Sequence, residues 1–217
     1  MKVGTDGVLL GAWSSPRILP NMILDIGSGS GLIAIMMAQR FINAKIEAIE
    51  IDKEASIEAQ QNMKSSKWAS RLKCFNCSLQ DFNSPNLYDF IVCNPPFFSN
   101  TTISKNKSRQ LARHNHSLGL IDLLMYSKNL LTSKGEMAII MPSTEFELLA
   151  IEANKNNMYI VDVCWVRGTE KSPYKRVMLK LSKVQQPLVE QFLTLEKKRH
   201  EYSQEYIKLC KDFYLKF

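Results

Sequence analysis

The chain has 217 residues, 45% of them hydrophobic, and its 28 Lys and Arg exceed its 21 Asp and Glu by seven charges. That length buries a full core in one domain spanning 1–217, without disulfides or metals as staples. The basic excess favours a polyanionic partner such as nucleic acid, and by itself says nothing about fold.

The five cysteines, Cys74, Cys77, Cys93, Cys164 and Cys210, are odd in number and scattered. Cys74 and Cys77 form a CxxC pair, but no second Cys or His pair follows at finger-like spacing, so reduced thiols and no metal are expected. The chain shows no leader and no apolar run of 18 residues, so no membrane association and a cytoplasmic location are expected.

Taken in order, Gly4-Thr5-Asp6-Gly7 precedes the apolar Val8-Leu9-Leu10, where Thr5 or Asp6 can cap a short helix. Residues 21–26 form a brief strand, and 32–41, apolar at nearly every position, a core helix. A second strand covers 45–51, an amphipathic helix 53–63, and further strands 71–75 and 87–93. A polar loop rich in Lys, Arg, Asn and His occupies 99–117, and loops this long in a compact domain are usually functional or disordered. A helix at 118–131, a Lys134-Gly135 turn and a strand at 136–141 follow. Ser143 caps a helix over 143–153, and 158–167 with 176–182 form a hairpin around the basic loop 168–175. One more strand is expected near 188–195, and Tyr202, Tyr206, Leu209 and Phe213 fall at helical spacing. Strands alternating with helices predict an α/β fold with a mostly parallel sheet.

Two stretches carry chemistry. Asp25-Ile26-Gly27-Ser28-Gly29-Ser30-Gly31 lies at a strand-to-helix turn, where glycines admit a ligand close to the backbone and the helix supplies free N–H groups. A dinucleotide fingerprint starting at Gly27 needs Gly or Ala at position 32, which is Leu32. Asp25 before the loop and Glu50 at the end of the second strand suit a nucleoside without phosphate, carrying a positive sulfonium and an amino-acid tail: S-adenosylmethionine. The second stretch is Asn94-Pro95-Pro96-Phe97, directly after the fourth strand. Two prolines end a strand abruptly and stiffen the exit, leaving an amide and an aromatic ring at a carboxyl strand edge, where open α/β sheets bind ligands.

These residues resemble the class I S-adenosylmethionine-dependent methyltransferases. Asp25 to Gly31 is similar to their first motif, Glu50 to their ribose-binding acid, and Asn94-Pro95-Pro96-Phe97 to their amino-methylating (D/N)PP(Y/F/W) motif. Lys2 to Trp13, Pro173 to Val177 and Tyr202 to Tyr206 resemble, more narrowly, the bacterial tRNA1(Val) adenine N6-methyltransferases, so the likeness spans almost the whole chain. The resemblance implies a Rossmann-like fold with a seven-stranded, mostly parallel sheet and an antiparallel C-terminal hairpin strand. It implies cofactor contacts from Thr5, Asp25, Gly27, Gly29, Gly31, Glu50 and Asn94, a monomer, and tRNA as the partner. Two departures stand out: the family usually carries a segment before the match to Met1, and often an Asp where this chain has Ser78. Ser78, the backbone of Leu79 or nearby Asp81 would then hold the cofactor adenine.

In such a site Asn94 and the Pro95 carbonyl accept the two protons of an exocyclic amine and turn its lone pair toward the methyl group. Phe97 stacks on the target base, a contact worth about 1–3 kcal/mol. Alignment and electrostatics supply the acceleration of this in-line displacement, and Pro96 stiffens the turn. The target base must leave its stack, which an anticodon loop makes easier. Lys105, Lys107, Arg109 and Arg113, with Lys171, Lys175 and Arg176 of the hairpin loop, are the expected phosphate contacts, with Lys197-Lys198-Arg199 a weaker candidate. His114 and His116 read as surface or RNA-contact residues rather than acid–base groups. The motif also resembles that of rRNA guanine N2-methyltransferases and protein glutamine N5-methyltransferases, and a non-catalytic RNA-binding relict of the fold is a further alternative.

Overall fold

The computed structural model describes residues 4–96 and 119–216. Nine strands form one sheet: β1 (Met22–Ile26), β2 (Lys45–Glu50), β3 (Leu72–Asn76), β4 (Tyr88–Cys93), β5 (Leu131–Pro142), β6 (Tyr159–Thr169), β7 (Tyr174–Ser182), β8 (Val189–Lys198) and β9 (Glu201–Tyr202). Their order is β3-β2-β1-β4-β5-β7-β6-β8-β9. The first five run parallel, β7 is antiparallel to β5 and to β6, β8 returns parallel to β6, and β9 folds back on β8. The Rossmann-like class I fold expected from the sequence is present, with nine strands in place of seven because β8 and β9 extend the sheet beyond the hairpin.

Strands covered on both faces read as continuous apolar runs rather than alternations. β4 accordingly buries Tyr88 and every residue from Phe90 to Cys93. On one face pack α1 (Thr5–Trp13), α2 (Leu32–Arg40), α3 (Lys53–Ser65) and, after β9, α6 (Gln204–Cys210), around Leu10, Met37, Phe90 and Tyr206. The other face is covered by α4 (Leu120–Leu130) and α5 (Phe146–Lys155), around Leu24, Ile91, Leu124 and Leu149.

Three local expectations are corrected. Neither Thr5 nor Asp6 caps α1; Gly4 holds the cap position without a side-chain bond, and Asp6 instead accepts a 2.8 Å bond from Arg176 Nε. Ser143 starts a 3-10 turn, Ser143–Glu145, and its hydroxyl donates to the Tyr174 carbonyl, so α5 begins at Phe146. In both cases a partner distant in sequence outbid the local cap. Lys134-Gly135 does not end a helix-to-strand turn but lies within β5, where the register against β4 slips between Tyr88 and Phe90. A Cβ on Gly135 would lie 2.8 Å from the Tyr88 carbonyl oxygen, so the chain needs glycine there.

A buried charge cluster fixes the segment after α1 at the sheet's far edge. Arg17 donates to Glu136 at 2.8 Å and to Asp162 at 2.9 Å, and Lys180 pairs with Asp162 and bonds the Ser15 carbonyl at 2.9 Å. Arg40 ties α2 to the same segment through the carbonyls of Gly11 (2.6 Å) and Ser14. α1 is thereby held at both ends, by Asp6–Arg176 at one and by this cluster at the other.

Candidate functional site

The strand order reverses between β1 and β4: β2 and β3 build outward on one side of β1, β4 and β5 on the other. Such a switch point opens a crevice at the carboxyl ends of the strands. The register sets Ile26 of β1 beside Ile49 of β2 and Cys93 of β4, so the turns after these strands emerge side by side. Asp25, Gly27, Gly29, Gly31, Glu50, Asn94, Pro95 and Pro96 thus share one edge.

The glycine loop is shaped by three left-handed residues, Gly27 (φ 68°), Gly29 (φ 55°) and Gly31 (φ 81°). Side chains strain there, whereas glycine adopts the region freely. At Gly31 space is short as well: an added Cβ would meet Met63 Cε at 3.1 Å and Ala59 Cβ at 3.3 Å of α3. The loop is stitched to β2, with the N–H groups of Gly27 and Ser28 donating to the Ile49 carbonyl at 2.9 and 3.0 Å. Gly29 N–H donates to Glu50 Oε2 at 2.8 Å, and the other Glu50 oxygen accepts from Asp52 N–H at 2.9 Å. A carboxylate has about four lone-pair sites, so Glu50 keeps acceptor capacity for a diol. Asn76 of β3 braces the turn behind it by donating to the carbonyls of Glu50 (2.8 Å) and Ile51 (3.1 Å).

Asp25 is fully buried, and one of its oxygens accepts from Ala34 N–H at 3.0 Å, near the start of α2. The other oxygen, Oδ1, has no partner. Burial raises its pKa to about 7; the Ala34 bond opposes that rise and the Glu50 carboxylate adds to it. A carboxyl in this state is incomplete without a donor or a positive charge. A ligand carrying an ammonium or sulfonium beside the loop fits that need.

On the acceptor side Pro95 is buried, Asn94 half-buried and Pro96 exposed. Among the described residues no hydrogen bond engages the Asn94 amide, which leaves its oxygen and nitrogen available. α1 supplies the neighbouring wall: a Cβ on Gly7 would lie 3.6 Å from Leu32, at the start of α2, and 3.9 Å from Asn94 Nδ2. The sequence reading passed over Gly7, though the glycine one turn from a helix start is the signal for this close approach. Thr5 stands exposed at the first residue of α1.

Ser78 and Leu79 follow β3 on the flank beside β2. The Ser78 hydroxyl donates to Asp81 at 2.6 Å and also accepts from Asp81 N–H, while Leu79 is buried. Cys74 is hydrogen-bonded to the Ser28 and Ser56 hydroxyls, and all five cysteines are free thiols. Among the described residues no group of three His, Cys, Asp or Glu side chains is placed to hold a metal, and no helix is long and apolar enough to cross a membrane. Phe97, Lys105, Lys107, Arg109, Arg113, His114 and His116 lie outside the described residues. Lys171 and Lys175 are exposed in and beside the β6–β7 turn, whereas Arg176 is partly spent on Asp6 and ties that hairpin to α1.

Comparison with known proteins agrees with this geometry. Residues 7–147 match the model of the methyltransferase small domain. A tRNA1(Val) (adenine(37)-N6)-methyltransferase of Flavobacterium psychrophilum is 42% identical over 218 aligned residues, covering 100% of this chain and 93% of that one. The chain belongs to this methyltransferase family. Solved structures carry the same fold: a predicted O-methyltransferase from Agrobacterium tumefaciens superposes with a TM-score of 0.73 at 13% identity, over 95% of this chain and 96% of its own. TYW2 of P. horikoshii in complex with MeSAdo superposes with a TM-score of 0.58 at 14% identity, over 83% of this chain and 64% of its own. In this family member the small-domain match ends within the first turn of α5, so β6 to β9 and α6 lie beyond it.

Proposed function

We propose that the protein transfers a methyl group from S-adenosylmethionine to N6 of an adenine in a tRNA anticodon loop, at position 37 of tRNA1(Val). The observation that carries the reading is the pairing of two half-sites at one strand edge. Asp25, the glycine loop and Glu50 stand on the β1–β2 side, and Asn94-Pro95 on the β4 side, in a chain 42% identical over its full length to an enzyme named for that reaction. When bound, S-adenosylmethionine supplies an electrophilic methyl on a sulfonium. Glu50 accepts from the ribose hydroxyls, Asp25 Oδ1 faces the positive amino-acid end, and the loop backbone admits the ligand closely. Ser78, Leu79 or Asp81 closes over the adenine, and Thr5 and Gly7 of α1 line the opposite wall.

Asn94 accepts one N–H of the target amine through its side-chain oxygen, and the Pro95 carbonyl accepts the other. Both bonds favour a pyramidal nitrogen whose lone pair points along the transfer axis. Holding the reacting atoms in line and in a dry pocket accounts for the acceleration. No general base is needed, because the methylated nitrogen loses its proton readily to water. Phe97 stacks on the base, with Lys105, Lys107, Arg109, Arg113, Lys171 and Lys175 at the entrance. Residues 1–217 act here as one domain, a reading supported by the single continuous sheet, and as a monomer. The test is methylation of tRNA followed by nucleoside analysis of the product, with a guanine or protein acceptor as the contrary result.

A further inference from the structure

The sheet register places two more loops on the edge that carries Asn94. Cys93 pairs with Ile139 of β5, Pro142 of β5 with Arg176 of β7, and Thr169 of β6 with Glu196 of β8. The turns of the β6–β7 and β8–β9 hairpins therefore rise from the edge that holds the candidate site. Four strand steps separate β4 from β8, which at roughly 4.8 Å each makes about 19 Å. Both turns are basic. The first presents Lys171 and Lys175, and the second Lys197, Lys198, Arg199 and His200, all exposed. Arg199 and His200 occupy the tip of a tight reversal, with His200 left-handed at φ 65°. Glu201 pairs with Lys198 at 2.9 Å and also acts on Lys197, while no ion pair engages Lys171, Lys175 or Arg199 among the described residues.

An aromatic step lies just below. Phe192 of β8 is 60% exposed, with its ring centroid 5.6 Å from that of Tyr174. The Arg167 guanidinium covers Tyr174 at 5.1 Å, while its Nε donates to Thr194 at 2.8 Å. The second hairpin is rigidly backed: Ser203 N–H donates to the Leu195 carbonyl at 2.9 Å, the Ser203 hydroxyl to the Thr194 carbonyl at 2.6 Å, and Ser203 caps α6. A large exposed ring on a rigid support below two basic turns is costly in isolation and suits single-stranded nucleic acid, where cations follow phosphates and a ring takes an unstacked base.

We propose that the two hairpins form an RNA-contacting ledge running outward from the entrance, with Lys171 and Lys175 on phosphates at its near end, Lys197 and Arg199 on phosphates at its far end, and Phe192, backed by Tyr174 and Arg167, on an unpaired base away from the target base. The ledge rests on the RNA reading above. It goes beyond that reading by placing its outer grip, at β8, about 19 Å from the transfer site, on strands outside the small-domain match.

The test measures binding of a tRNA1(Val) transcript by the full chain across salt concentrations, together with methylation kinetics. Lys197→Ala/Arg199→Ala is expected to lower the salt slope by about 1.4 to 1.8, the loss of two phosphate contacts. Phe192→Ser is expected to weaken binding about fivefold or more through lost stacking. Both raise KM for tRNA while kcat at saturating RNA and the affinity for S-adenosylmethionine hold. Lys64→Ala/Lys67→Ala, on exposed lysines in the last turn of α3 and just beyond it, controls for bulk charge and leaves the slope unchanged. A wild type that methylates the transcript while the ledge variants match it overturns the ledge alone, as does an equal loss of slope in the control. A wild type that sediments as a dimer dissociated by Phe192→Ser overturns it too, since the ring then serves a second copy. A wild type that neither binds nor methylates the transcript overturns the RNA reading, and the ledge with it.

Discussion

The two flanks of the crevice are built in opposite ways. On the β1–β2 flank the functional groups are close in sequence and locked by short-range bonds: Gly29 to Glu50, Glu50 to Asp52, Asp25 to Ala34. On the β4 flank Asn94 is left without a bond among the described residues, and its neighbour is an element far along the chain: Gly7 of α1, a helix tied in turn to Arg176 of β7 through Asp6. The first flank can recognise one invariant small molecule with a preformed backbone. The second must accept a nucleotide that arrives with a large RNA, so its acceptor amide is open and its walls are assembled from distant elements. Binding and chemistry should therefore separate by mutation.

The largest separation is expected at Asn94. Asn94→Ala should lower kcat about 10²–10³-fold, the loss typical for one preorganised polar contact to a transition state, while calorimetry shows cofactor affinity within a few fold. Equal loss of both would place Asn94 on the wrong flank. Lys180→Met probes the support of α1 from below. Removing one member of a buried charge cluster costs about 3–5 kcal/mol, and here Glu136 and Asp162 would be left to Arg17. Chemical denaturation should show the full loss; a change under 1 kcal/mol would mean that the cluster does not hold the segment after α1.

Asp25 gives the first flank a pH signature. Its folded pKa of about 7 lies above the ordinary 3.8 of an aspartate, so its contribution to stability is complete below about pH 4 and is lost as pH rises through about 7. Between pH 5 and 8 the ligand-free protein should lose about 2–3 kcal/mol from this group. Asp25→Asn should flatten that profile and weaken cofactor binding, and in the wild type cofactor binding should release a proton near pH 7 as a positive ligand replaces it. A pH-independent apo stability in the wild type would remove Asp25 from this role. Gly31→Ala should cost about 1–2 kcal/mol, the penalty of a side chain in the left-handed region. Asp6→Ala should cost at most about 1 kcal/mol, because the pair with Arg176 is more than a third exposed on both sides; a larger shift would mean that α1 depends on that tie more than on its lower anchor.

How much of this is readable from residues alone follows the same division. Asp25 to Gly31 lies within seven residues, and Glu50 ends its strand, so local rules for strand ends and helix starts suffice for the first flank. Asn94-Pro95-Pro96 is equally local. The cap expectations at Asp6 and Ser143 failed because each side chain found a partner more than 30 positions away. Lys180 looks like a solvated charge in an otherwise apolar strand, yet it is buried, since only the packed sheet reveals Asp162 beside it. The strand expected near 188–195 is present as β8, Val189–Lys198, and the count of seven implied by the resemblance falls short because β8 and the two-residue β9 extend the sheet beyond the hairpin.

The central claim is that the open amide on the β4 flank receives the N6 amine of a tRNA adenine. Incubation with labelled S-adenosylmethionine and total tRNA, digestion to nucleosides and chromatography test it directly. Label in N6-methyladenosine, abolished by Asn94→Ala, is the expected result. Label in N2-methylguanosine, in protein, or in nothing would contradict it.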